Sequence, residues 1–281
     1  MADLRNAEYT LYSSPFSLYS MMARHTVQLG PLTDHTTPPR NIDLSFINHG
    51  KNDNLKEEYL GINPKGQIPS LVGNALKEPL TDSISISLYL AEKHYPALLP
   101  TAQAAIIKQL LERIHQVNGP SINNKKASPE MQKYNPSPAA EMLKRTDISP
   151  EYRKALEFKL RFHDKTNAVA FQPEKVAQSL ADLRAILAEI TDHGKQSGAF
   201  GDKVEWIFGA QVGPTVLDSH LLPLLLRMLE VGNAHVVPPE LQRWAKDRSN
   251  SPSWQMVMHG RPTRYDPSMG PLEDMTDMLT L

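Results

Sequence analysis

The chain has 281 residues, 40% of them apolar, enough for two domains of ordinary size. Lys and Arg number 30 against 31 Asp and Glu, so the near-neutral charge gives no electrostatic case for nucleic acid or an anionic membrane. Cysteine is absent, which excludes disulfides, thiolate metal sites and Cys-x-x-Cys redox chemistry; any thiol used must arrive on a ligand.

Residues 1–6 carry no apolar signal region. The most apolar stretch, 221–229, is too short for a bilayer and contains Pro223 and Arg227, so a soluble cytoplasmic protein is expected. Tyr9, Thr10, Leu11 and Tyr12 read as a short strand, followed by turn chemistry from Ser13 to Ser17. Leu18, Met21, Met22, His25 and Leu29 recur at helical spacing until Gly30 and Pro31 stop the helix. After a loop over 33–40, Ile42, Leu44 and Phe46 alternate with polar residues as in a half-buried strand. The polar segment 48–60 offers one irregular helical turn. Ile68 to Val72 is the next strand, Gly73 and Asn74 a hairpin turn, and 75–79 its return strand. Ile84, Leu88 and Ala91 mark a helix over 82–94 that Pro96 ends. This β-α-β-(α)-β-β-α order predicts an α/β domain over 7–95.

Past a linker over 95–101 the pattern turns helical. Ile106, Ile107, Leu110, Leu111, Ile114 and Val117 form one apolar face. The segment 118–145, with Gly119 and four prolines, reads as a long exposed loop with one short helix. Helices are expected over 151–170, along the stripe Val176, Leu180, Leu183, Leu187 and Ile190, and along Leu217, Leu221, Leu224, Leu225 and Met228. Shorter ones close the domain at 241–247 and 254–258. An all-helical domain is thus expected over 101–262, with a frayed tail over 263–281. The ten histidines show no paired metal-ligand spacing, and neither a Gly-rich phosphate loop nor a Gly-x-Ser-x-Gly elbow is present.

Three motifs carry a family resemblance. The stretch from Asn63 through Gly66, Gln67, Ile68 and Pro69 to Leu71 resembles the Asn-Pro-x-Gly-x-Val-Pro-x-Leu segment of glutathione transferases. Asp82, Ser83, Ile86, Tyr89 and Leu90 are similar to that family's Glu/Asp-Ser-x-Ala-Ile-x-x-Tyr-Leu signature, and the run from Gly209 to Asp218 is similar to its helical-domain motif. They stand in family order, and the resemblance spans about residues 9–260. It implies a thioredoxin-like N-terminal domain that binds glutathione, an all-helical domain that receives a small hydrophobic electrophile, and a homodimer. The chain length and the loop after the linker resemble fungal-type members.

The residues support this independently. Pro69 removes a ladder donor at a strand start, which is tolerable if the Ile68–Pro69 bond is cis and turns the Ile68 backbone outward. That backbone can then pair with a bound peptide as an added strand would; otherwise Pro69 is an edge-strand proline without a ligand. Asp82 and Ser83 stand at a helix N-terminus, where backbone N–H groups and the Ser83 hydroxyl accept a carboxylate and Asp82 pairs with an ammonium. One α-amino-acid head group, such as the γ-glutamyl end of glutathione, needs both; the plainer alternative is an ordinary N-cap. Thr215 and Asp218 have capping-box spacing, so Asp218→Ala is expected to cost stability and not chemistry.

A glutathione enzyme must hold a thiolate. Lowering a thiol pKa of about 8.5 by two units takes roughly 2.7 kcal/mol. A helix N-terminus supplies up to about 2 kcal/mol and a hydrogen bond to a charged acceptor about 1.5–3 kcal/mol, so a hydroxyl there suffices without a formal base. Tyr12, Ser13, Ser14, Ser17 and Tyr19 lie near. In the family's serine and cysteine classes the key residue falls about five positions after the aromatic that closes the first strand, which resemblance selects Ser17; its alternative role is a cap alone. Ser14 is second, because Ser14-Pro15-Phe16 resembles the Cys-Pro-Phe of other classes. The lack of cysteine at 14 or 17 argues against thiol exchange.

Gln67 is a further expected contact to the peptide, and Lys56 and Lys65 are candidates for the glycyl carboxylate. His49 and Lys51 lie earlier than the His-Lys often found there in the family. The electrophile is expected near Ile107, Leu111 and His115, His115 being equally readable as a packed histidine. Conjugation, or glutathione-dependent isomerisation or elimination of a biosynthetic intermediate, would use the same thiolate. A non-catalytic glutathione- or ligand-binding, regulatory protein of the same fold is the competing reading.

Overall fold

The computed structural model describes residues 7–39, 41–123 and 127–281. Tyr9–Ser13 (β1) lies at the centre of a three-stranded sheet. Ile42–Phe46 (β2) runs parallel to it with Tyr9 opposite Ile42, and Ser70–Gly73 (β3) runs antiparallel with Tyr12 opposite Ser70. Leu18–Leu29 (α1) and Ser83–Lys93 (α3) pack together, and Glu57–Ile62 (α2) joins β2 to β3. This is the thioredoxin-like arrangement. The expected return strand over 75–79 does not form. Pro79 has no N–H to donate, and pairing stops at one bridge between Leu71 and Leu80.

The regular structure of the rest of the described chain is helical apart from one isolated bridge, Phe200 to Val204: Ala104–Gln116 (α4), Gly119–Asn123 (α5), Pro129–Lys133 (α6), Pro138–Met142 (α7), Pro150–Thr166 (α8), Pro173–Ser197 (α9), Val216–Glu230 (α10), Pro239–Arg248 (α11) and Pro252–Met258 (α12). One apolar core runs through both halves, from Leu11 and Met21 to Leu187, Leu221 and Trp244, because α1 packs directly on α10. Thr215 and Asp218 do form the capping box. The buried Asp218 carboxylate accepts from Thr215 N (2.8 Å), Thr215 Oγ1 (2.6 Å) and Ile207 N (3.1 Å). Within α10, Pro223 has no N–H for the Ser219 carbonyl, which instead accepts from His25 Nδ1 at 3.3 Å.

Two expectations need correction. The segment 118–150 holds three short helices, and α7 with α8 packs against α2 through a separate cluster of Leu55, Leu60, Ala139 and Leu156. Proline at the first turn and serine caps at Ser128, Ser137 and Ser149 start α6, α7 and α8, a signal outweighed in the sequence by proline content. The tail does not fray. Met275 and Met278 are buried, Tyr265 packs on Phe16, and Glu273 accepts from Asn48 (2.8 Å) and pairs with Lys51 (2.5 Å).

Candidate active site

A cavity of about 700 Å³ opens between the two halves, within the range usual for small-ligand sites. Its floor is the loop that enters β3. Three side chains hold that loop through its carbonyls: Asn54 Nδ2 donates to Gly66 O (2.8 Å), and Tyr59 Oη and Asn63 Nδ2 donate to Gln67 O (2.6 and 2.8 Å). The Ile68–Pro69 bond that follows is cis. Neither the N–H nor the C=O of Ile68 has a partner among the described residues, and Gln67, Ile68 and Pro69 all line the cavity.

Beside this floor stands the N-terminus of α3. Asp82 caps it, accepting from Ser85 N (2.8 Å) and Ser85 Oγ (2.7 Å), and also lines the cavity. Ser83 is 2% exposed, lines the cavity, and its Oγ has no hydrogen-bond partner among the described residues. A buried hydroxyl left unpaired costs about 1–3 kcal/mol, and a ligand atom would relieve that cost.

Ser17 is the N-cap of α1, its Oγ accepting from Ser20 N at 3.4 Å, and it too lines the cavity. The helix uses a lone pair of that oxygen and leaves the O–H free to donate. The other nearby hydroxyls divide. Tyr19 lines the cavity; Ser14 is buried outside it; Tyr12 faces a smaller pocket beside Gly73. Of the nine residues expected to activate the thiol or contact glutathione, six therefore converge: Ser17, Gln67, Ile68, Pro69, Asp82 and Ser83.

Lys56 and Lys65 are not among the lining residues. Lys56 pairs with Asp53 (2.7 Å), and the Lys65 ammonium stands over the Phe162 ring at 5.9 Å. Lys159 of α8 takes the place next to the loop. It is buried, donates to Lys65 O at 2.6 Å and lines the cavity, and burial draws its pKa down to about 8. It escaped notice because in sequence it is one of many lysines on a polar helix. His49 lines the cavity as well.

The helical wall also differs from expectation. Ile107 and Leu111 are fully buried in the core, because the stripe that suggested them is the face α4 turns inward. The wall is built from the end of α4, from Val117 to Pro120, and from α8 residues such as Phe162. His115 does line it, and Nε2 of the same ring meets His220 Nδ1 at 2.9 Å.

A thioredoxin-like half joined to a helical half, with a cavity where the first helix begins, defines a two-domain class of thioredoxin-fold proteins. Residues 11–97 match the family described as glutathione S-transferase, N-terminal domain. The N-terminal domain is thus similar to that of glutathione S-transferases, and the whole chain has the glutathione transferase fold. Similar solved structures include a glutathione transferase family member from Pseudomonas fluorescens pf-5 with two glutathione bound (15% identity, 92% of this chain and 95% of that one, TM-score 0.58). Glutathione transferase F7 from Populus trichocarpa aligns at 18% identity over 90% of this chain and 98% of that one, TM-score 0.55. Maleylacetoacetate isomerase from Methylobacterium extorquens AM1, with bound malonate and GSH, aligns at 16% identity over 92% of this chain and all of that one, TM-score 0.55. No curated protein sequence matches. Among the described residues no helix is long and apolar enough to cross a membrane.

Proposed function

We propose that the chain is an enzyme that binds glutathione in this cavity and activates its thiol for attack on a hydrophobic electrophile. The carrying observation is the pairing of a free Ile68 backbone with an unpartnered, buried Ser83 hydroxyl on the same cavity floor. An extended tripeptide offers the N–H and C=O that the first lacks and the carboxylate that the second would receive. Asp82 supplies the counter-charge for the α-ammonium. At the other end Lys159 provides the cation for the glycyl carboxylate, a role first assigned to Lys56 and Lys65. The sulfur then lies at the start of α1, where the helix N-terminus favours the anion and Ser17 donates to it, a serine-type site. Attack on the electrophile leads to conjugation, or to isomerisation or elimination where the adduct collapses. We propose also that the protein works in the cytoplasm as a homodimer, which light scattering tests directly.

The test is calorimetric titration with glutathione, followed by a conjugation assay with a generic aromatic halide. Wild type is expected to bind, and Ser83→Ala to weaken binding about tenfold, the loss of one hydrogen bond to a charged group. Failure of wild type to bind glutathione at millimolar concentration refutes the reading.

A further inference from the structure

Lys159 and His163 stand one turn apart on α8, and both line the cavity. Residues four apart on a helix are neighbours, with Cβ atoms about 5–6 Å apart. Both side chains are buried, at 7% and 8% exposure. Lys159 makes no ion pair among the described residues. Its Nζ donates once, to Lys65 O at 2.6 Å, and lies 5.7 Å from the centroid of the Phe162 ring. An ammonium has three hydrogens to place and finds one protein acceptor here; a neutral amine satisfies that acceptor and keeps a lone pair. His163 Nε2 lies 2.8 Å from the carbonyl oxygen of Asn135. A carbonyl only accepts, so Nε2 carries the hydrogen, and the lone pair of the neutral ring sits on Nδ1, which has no partner among the described residues. The other charged or titratable groups beside Lys159 are His49, which lines the cavity, and Lys65, whose ammonium stands 5.9 Å from the same Phe162 ring; neither is a carboxylate that would hold Lys159 charged. Burial draws the Lys159 pKa down to about 8, so at pH 7.5 about a quarter of this amine is neutral, against about one part in a thousand of an ordinary lysine.

We infer that Lys159 and His163 form an amine–base pair that captures an aromatic aldehyde in this cavity as an imine, a covalent site separate from the thiol chemistry. A lysine desolvated in a pocket is a nucleophile suited to a carbonyl carbon. Its lone pair forms the C–N bond while the carbonyl π pair moves to oxygen. His163 Nδ1 takes a proton from that nitrogen and delivers it to the oxygen, giving a carbinolamine. A second transfer along the same route converts the hydroxyl to water, which leaves as the nitrogen electrons close the C=N bond. Both amine hydrogens end on oxygen, so one amine and one aldehyde give one imine and one water, with no oxidant or metal. Phe162, Val117 and Pro120 line the cavity and supply the apolar surface for an aromatic ring on the aldehyde. The capture needs no glutathione. In the reading above the same nitrogen, as an ammonium, holds the glycyl carboxylate, so aldehyde and peptide compete.

The experiment treats the wild-type protein with benzaldehyde at pH 7.5, traps imines with sodium borohydride, and maps benzyl-lysine by peptide mass. Lys159 is expected to be labelled roughly tenfold or more faster than Lys77, an exposed lysine that serves as the internal reference. His163→Gln, which keeps a donor for the Asn135 carbonyl and removes the base, should slow labelling of Lys159 about 100-fold and leave Lys77 unchanged, the lower end of what a positioned base contributes. Absence of label on Lys159, labelling of Lys159 and Lys77 at equal rates, or an unchanged Lys159 rate in His163→Gln overturns the inference. S-Methylglutathione, which has no free thiol to consume the aldehyde, is expected to protect Lys159 and not Lys77. Rapid, His163-dependent labelling that S-methylglutathione leaves unaltered upholds the aldehyde site and counts against the glycyl contact proposed for Lys159, so the two readings fail separately.

Discussion

Removing the Ser17 hydroxyl offers a quantitative test of thiol activation. The oxygen accepts from Ser20 N, so its single hydrogen is the group left for sulfur. A hydrogen bond to an anion contributes about 1.5–3 kcal/mol, which converts to roughly one to two pKa units. With a bound thiol near 6.5 in wild type, Ser17→Ala should raise it to about 8. At pH 6.5 the thiolate fraction then falls from about one half to about one thirtieth, and kcat/KM falls roughly 15-fold. At pH 9 both proteins are mostly ionised and the difference nearly disappears. Ser17→Ala also removes an N-cap, at about 1 kcal/mol of stability, whereas glycine at a cap costs only a few tenths. Ser17→Gly should therefore match the alanine variant in thiol titration while unfolding at nearly the wild-type urea concentration. Thiolate absorbance of the glutathione complex across pH 5–10 reads the pKa directly. A value within 0.3 unit of wild type in both variants, or an equal effect from Ser14→Ala, would refute the reasoning.

Other expectations follow from groups that the fold buries. Lys159→Met removes a cation that burial disfavours, so thermal unfolding should move upward while glutathione binds about tenfold more weakly, the loss of one hydrogen bond to a charged group. Unchanged affinity would remove Lys159 from the site. Asp218→Ala leaves the Ile207 and Thr215 N–H groups and the Thr215 hydroxyl without their acceptor, at about 1–3 kcal/mol each before relief of the buried charge. Urea unfolding should report a loss on the order of 3 kcal/mol, with glutathione affinity of the folded protein unchanged. Burial also holds His25 down to about 3 and His115 to about 4, and places His220 well below its ordinary value. The unfolded chain therefore binds more protons than the folded one below about pH 6.5, and stability falls as pH drops from there toward 4. The His115 share is about 3 kcal/mol, being the gap between 6.5 and 4. A urea midpoint that is flat over this window would contradict the burial argument.

What the sequence revealed depended on whether a residue's role was local. Ser17 and Asp82 cap helices, and cap chemistry depends on the two or three residues that follow. Gln67, Ile68 and Pro69 lie on one loop whose turn chemistry the chain spells out in order. These could be placed before any tertiary contact was known. Lys159 could not, because its role depends on α8 crossing back to the Gly66 loop over a separation of 94 residues to Lys65. Ile107 and Leu111 were misplaced for the same reason: amphipathic spacing says that a face is covered but not what covers it. The tail was misjudged on composition. Met275 and Met278 sit among polar residues and glycine or proline, and become core only because the first domain presents a surface to them.

The hydrogen-bond chain that ends at His115 shows why the two halves must be considered together. Its members come from α1, α3, α10 and α4: Thr26, Ser87, Ser219 with His220, and His115. Each is unremarkable alone, since serine or threonine inside a helix commonly bonds back to its own turn, as Ser219 also does to Val216 O. Arg227 adds a second tie near the thiol end. From α10 it donates to Phe16 O, one residue before Ser17, at 2.9 Å, and to Thr263 O at 2.5 Å. Glu230 accepts from the Thr263 N–H at 2.9 Å, so the tail is anchored where the β1–α1 loop is held. Helix α10 therefore contacts two ends of the cavity: through Arg227 the loop that presents Ser17, and through His220 the His115 ring on the helical wall. A rigid helix linking the two fixes the spacing between nucleophile and acceptor, and effective concentration rises with the accuracy of that spacing. Substitutions deep in α10 should thus alter turnover more than glutathione affinity, because Ile68 and Ser83, the proposed contacts to the peptide, belong to the other domain.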